Sequence, residues 1–70
     1  MTQQQAKIYG YIQRFGSITP MEAFVDLGIT KLATRISEMI RDGVGIDKEL
    51  VNGFNRFGDK VHFMRYKLAE

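Results

Sequence analysis

Seventy residues can close one small hydrophobic core with little chain left for loops, so the sequence predicts one domain over residues 1–70. The absence of cysteine removes disulfides and thiolate metal ligands and fits a reducing, cytoplasmic setting. No signal-peptide pattern or apolar run near the ~20 residues of a membrane span is present, and a net charge of +2 allows an acidic partner without requiring one.

Thr2 and Gln5 form a capping-box pattern, predicting a first helix to about Phe15 that stops at Gly16. Helical spacing puts Ile8, Ile12 and Phe15 on its inner face, with Tyr9 and Tyr11 beside them and Gln4, Lys7, Gln13 and Arg14 on the wet side. Ser17-Ile18 is extended and long enough for one rung of a sheet. Thr19, Pro20 and Glu22 then supply a capping hydroxyl, a proline where no amide donor is needed, and a carboxylate three residues after the cap. The second helix accordingly spans about Pro20 to Leu27, with Ala23, Phe24 and Leu27 inward, and ends at Gly28 followed by the apolar Ile29.

Thr30 is the expected cap of a third helix that ends in the same way at Gly43-Val44. Leu32, Ile36, Met39 and Ile40 form its inward stripe. Stepping ~100° per residue from that stripe turns Thr30, Lys31, Thr34, Glu38 and Arg41 outward. Ala33 and Arg35 fall on the flanks, and the small Ala33 predicts a close approach of the second helix. Two helices joined by a glycine turn within Thr19–Gly43 outline a helix-turn-helix.

Beyond Gly45 the period changes from helical to alternating. Strands are predicted from Ile46 to about Val51 and from Val61 to Leu68, with Gly58-Asp59 as the reversal and Asn52-Gly53 as either a bulge or a competing turn. On the last strand Met64, Tyr66 and Leu68 share the inward face, and Phe63, Arg65 and Lys67 the other. The predicted fold is therefore α+β: a winged helix-turn-helix with three helices, a short strand and a C-terminal β-hairpin wing.

Catalysis is hard to assemble from this inventory. His62 is the only histidine, and neither metal-ligand spacing nor a glycine-rich phosphate loop occurs, which predicts no enzyme, no cofactor and no metal. Asp47 and Glu49 share a strand face and read as a solvated edge. A nucleic-acid surface is easier to build. Thr30, Lys31, Thr34 and Arg41, with Arg35 at the border, suit a helix lying in the major groove of double-stranded DNA. Lys31, Thr34 and Arg35 are the candidates for base edges, and Arg41 for phosphate. Glu38 would accept from cytosine or neutralise Arg35 or Arg41, and Arg35 would touch DNA or pair with a local carboxylate. From Phe54 to Lys67 the hairpin carries Arg56, Lys60, Arg65 and Lys67 against the single anion Asp59. Arg56 and Lys60, near the reversal, are candidate phosphate contacts; Arg65 and Lys67 serve DNA or keep an edge strand soluble.

Thr2-Gln3, Gly16-Ser17-Ile18-Thr19, Glu22-Ala23, Leu27-Gly28-Ile29, the run Leu32-Ala33-Thr34-Arg35-Ile36-Ser37-Glu38, Gly43 and the closing Arg65-Tyr66-Lys67-Leu68 span nearly the whole chain. Together they resemble the small winged-helix domains of phage and prophage proteins. The resemblance implies a helix-turn-helix fold and DNA binding, as a transcriptional regulator or accessory protein. A chain of this size makes few contacts, so a homodimer or a companion protein is expected for high specificity. The rival reading is a protein-interaction module docking through Phe54, Phe57 or Phe63. Single-strand binding on the hairpin aromatics is a third.

Overall fold

Reciprocal capping starts the first two helices. The Thr2 hydroxyl accepts from the Gln5 amide at 3.2 Å while the Gln5 side chain accepts from the Thr2 amide at 3.1 Å. Thr19 and Glu22 repeat the exchange at 3.2 and 3.0 Å. The computed structural model describes residues 1–69, with α1 at Gln3–Phe15, α2 at Pro20–Leu27, α3 at Leu32–Arg41, β1 at Ile46–Phe54 and β2 at Lys60–Leu68. Since Thr19 satisfies an otherwise orphaned helix amide, Thr19→Ala should cost about 1 kcal/mol. Urea unfolding checks this as a lower midpoint at unchanged slope.

Glycine ends α2 and closes the turn after α3 for a conformational reason. Gly28 has φ +69° and Gly43 φ +98°, a left-handed region that side chains disfavour. After α3 the Gly43 amide donates to the Ile40 carbonyl at 3.0 Å and the Val44 amide to the Met39 carbonyl at 2.9 Å, which satisfies the last turn.

The start of α3 differs from expectation. Thr30 does not cap it; Lys31 occupies the cap position and makes no side-chain cap bond. Ile29 explains the delay. It is buried, and its amide donates back to the Ala23 carbonyl at 3.0 Å. The chain is thereby held to the end of α2, and Thr30 lies in the bend that follows.

The core gathers Ile8, Ile12, Ile18, Ala23, Ile29, Leu32, Ile36, Met39 and Tyr66, so every element from α1 to β2 except β1 supplies a fully buried side chain. Three residues expected inside lie outside it: Phe15, Phe24 and Ile40 are exposed. Phe15 ends α1 and meets Tyr11 in a tilted ring pair instead, with ring centres 4.6 Å apart, and lies under the Arg14 guanidinium at 5.5 Å. Phe24 follows Ala23 on a helix of eight residues, whose single buried residue is Ala23. Ala33 is exposed as well, so the small residue buried at the packed face of the α2–α3 unit is Ala23.

β1 and β2 pair antiparallel without interruption from Ile46↔Leu68 to Phe54↔Lys60. Asn52 pairs with His62 and Gly53 with Val61, so Asn52-Gly53 is neither bulge nor turn and the wing is longer than predicted. The expected rung at Ile18 is present. Ile18 exchanges amide–carbonyl bonds of 2.8 and 2.9 Å with Tyr66 and lies beside β2. Since Ile18 and Tyr66 are both buried, that rung clamps the wing to the helices. The result is the α+β arrangement expected: three helices and an antiparallel wing.

Candidate nucleic-acid interface

The inward stripe of α3 sets what its other side can present. With Leu32, Ile36 and Met39 buried, the exposed side carries Lys31, Ala33, Thr34, Ser37 and Arg41, with Thr30 just before it. Lys31, Thr34, Ser37 and Arg41 follow one another by three or four residues and so line one face. Ser37 was not among the expected site residues, although its spacing between Thr34 and Arg41 signals it. Ala33, expected to pack against the second helix, is exposed instead, and its methyl is the kind of group that contacts a thymine methyl.

Glu38 does not belong to that outward face. It is half-buried, pairs with Arg35 at 2.9 Å and accepts from the Gln5 side-chain amide at 3.5 Å. Gln5 is itself buried at the α1–α3 contact, held by its capping bond to Thr2. The acid is therefore drawn toward α1, and of its two sequence readings the structure shows neutralisation of Arg35. Arg35 is half-buried at the border of the face, its Nε enclosed without a partner. Arg41 is 74% exposed, with one loose contact to Asp42 at 3.7 Å.

The acids of α2 are turned to α1. The Tyr11 hydroxyl donates to Asp26 at 2.6 Å and lies 3.5 Å from Glu22. The Asp26 bond, with burial and the two negative charges, pushes Tyr11 from 10 up to about 12. A raised folded-state value makes the contribution of Tyr11 to stability complete below pH 10 and lost as pH rises through about 12. The stability difference between the native protein and Tyr11→Phe, followed by unfolding at successive pH values, should be flat below that window. Across it, the native protein should lose ground to the variant.

In the wing, Glu49 lies across from Arg65 and hydrogen-bonds its guanidinium, while Lys67 stands 3.9 Å away. Those two cations thus neutralise an acid on the outer sheet face. No carboxylate among the described residues forms an ion pair with Lys31, Arg56 or Lys60. His62 bonds Asn52 across the strands at 2.6 Å. No cluster of metal-ligating side chains occurs among the described residues, and none of their helices is long and apolar enough to cross a membrane.

An apolar groove of about 460 Å³ lies between the start of α2 and β2, lined by Thr19, Pro20, Met21, Val61 and Phe63. Met21 in its lining is exposed, as are Phe24 and Val25 further along α2.

The family model described as a winged helix-turn-helix domain matches residues 3–70. No curated protein and no solved structure matches the chain.

Proposed function

Because this chain belongs to the winged helix-turn-helix domain family, we propose that it binds double-stranded DNA, with α3 in the major groove and the wing against the backbone. The family itself suggests DNA binding, and such domains are typically not enzymes. The observation that carries the reading is the outer face of α3. Its acid is withdrawn toward α1, and what remains exposed is Lys31, Thr34, Ser37 and Arg41.

Lys31 and Thr34, with Thr30 leading in, are assigned to base edges near the start of the helix. Arg35 flanks them, its charge shared with Glu38. Arg41, Arg56 and Lys60 are assigned to phosphates. The biological role proposed is that of a phage- or prophage-type transcriptional regulator or accessory protein acting in the cytoplasm. A homodimer or a companion protein would extend its short contact surface.

Duplex titration by fluorescence anisotropy at two salt concentrations tests this. If Arg41, Arg56 and Lys60 each neutralise one phosphate, the logarithmic salt slope is about −2.7, and a fourfold rise in salt lowers affinity by ~40-fold. The competing reading, a protein-docking module, is favoured by the apolar groove beside Met21 and Phe63. It predicts no duplex binding at low salt, an outcome that would reject the DNA assignment.

A further inference from the structure

The hairpin reverses through Asn55–Asp59, and every bond that closes this loop involves Asn55. The Asn55 carbonyl oxygen of the amide side chain accepts from the Phe57 and Asp59 backbone amides, both at 2.9 Å. Its side-chain nitrogen lies 3.3 Å from the Asp59 carboxylate. Backbone bonds from Asn55 to the Asp59 carbonyl at 2.9 Å and from Gly58 to the Asn55 carbonyl at 3.0 Å complete the closure, with Gly58 at φ +84°. Nothing in that closure uses the ring of Phe57, which is 87% exposed at the tip. A large apolar ring that does nothing for its own fold here projects from a backbone that is already fixed by these bonds. The loop backbone therefore has little conformational freedom to lose when the ring inserts into a partner.

Its neighbours indicate which partner. Arg56 precedes it and Lys60 follows within three residues, and neither pairs with a carboxylate among the described residues. Phe54, 72% exposed and opposite Lys60 in register, adds an apolar shoulder. The carboxylate of Asp59, the one acid in the loop, is engaged by Asn55. An apolar tip bracketed by two cations matches a wedge between stacked bases, flanked by phosphates, better than a contact with a wholly apolar protein surface.

We propose that Phe57 is a wedge that enters the minor groove, partly unstacks one base step and kinks the duplex, with Arg56 and Lys60 holding the adjacent phosphates. The proposal rests on the DNA-binding reading above and adds to it a source of specificity. Pyrimidine–purine steps unstack most readily and stiff A-tracts least, so the wedge selects sites by deformability rather than by base hydrogen bonds.

The test uses the full chain and two short duplexes that differ only at the central step, one with TA and one within an A-tract. Each carries end dyes for energy transfer and a fluorescent purine analogue at that step. The native protein should bend the TA duplex, brighten the analogue and prefer TA by about tenfold. Phe57→Ala, at an exposed tip whose bonds are all made by other groups, should keep its circular dichroism and salt slope. It should bind both duplexes alike and leave them straight. A native complex that binds TA duplex without bending or brightening overturns the wedge while leaving DNA binding intact, and so does a Phe57→Ala variant that still bends it. Absence of duplex binding at low salt overturns the DNA-binding reading and the wedge with it.

Discussion

Replacing Lys31 and Arg41 together by alanine should leave the fold intact and lower duplex affinity by about 3 kcal/mol, a little over a hundredfold. Both side chains stand on the exposed side of α3, and neither supports the core. A base contact of Lys31 accounts for ~1–3 kcal/mol, and Arg41 adds a phosphate contact whose loss flattens the salt slope by ~1. The two losses differ in kind. Lys31→Ala alone should relax sequence preference, whereas Arg41→Ala alone should weaken all duplexes alike. Arg35→Ala is the informative control. Its guanidinium is paired with Glu38 and half-buried, so the same substitution there should change affinity less than about threefold and thermal stability more. Anisotropy titrations of the three variants, each confirmed folded by circular dichroism, separate these outcomes. Unchanged affinity in the folded Lys31/Arg41 double variant would remove α3 as the DNA-binding element.

Ile36→Ala should have the largest effect on the fold itself. Ile36 is fully buried at the middle of α3, where the inward stripe meets the rest of the core. Truncating a buried isoleucine to alanine costs ~2–5 kcal/mol through lost burial and the cavity left behind. Stabilities of ~0.05–0.15 kcal/mol per residue place a chain of this length at roughly 4–10 kcal/mol in total. A loss of ~3.5 kcal/mol therefore takes a third or more of that reserve and lowers Tm by ~15 °C or more. Ile40→Ala, four residues along the same predicted stripe, should cost less, about 1–2 kcal/mol, because Ile40 keeps 38% of its surface in water. Thermal unfolding of the pair checks both values. Equal costs at the two positions would mean that α3 packs on a different face.

The contrast between Ile36 and Ile40 shows where periodicity stops being informative. A 3.6-residue period identifies a stripe, but the width of the stripe that is covered depends on how many neighbours lie against it. α3 meets α1 and α2, and the sheet begins after it, so Ile40 falls at the open edge. Phe15 and Phe24 lie in water for the same reason, at the end of one helix and on a short one. The wing shows the complementary case. Alternation identified Tyr66 as inward correctly, because on a strand each side chain faces opposite to the next whatever lies nearby. It could not say how far pairing continues, since Asn52 and Gly53 are turn-forming residues that the paired strand opposite holds extended.

The candidate site divides along the same line. That Lys31, Thr34 and Arg41 lie together follows from spacing on one helix. That Glu38 leaves their company does not. Its direction was set by Gln5, thirty-three residues away in sequence, and by Arg35 reaching across the turn. The exposure of Phe57 likewise depends on the bonds of Asn55 within a loop whose limits were fixed by strand pairing.

By itself the sequence determined what short-range chemistry can specify: two capping boxes, the glycines that close α2 and the turn after α3, the extended Ser17-Ile18 link and the strand alternation that turns Tyr66 inward. Each depends on groups within a few residues of one another or on a period the backbone imposes. Tertiary structure alone decided the late start of α3, the withdrawal of Glu38, the full length of the wing and which large apolar side chains remain in water. Those outcomes depend on which distant surfaces meet, and burial is a property of both surfaces at once.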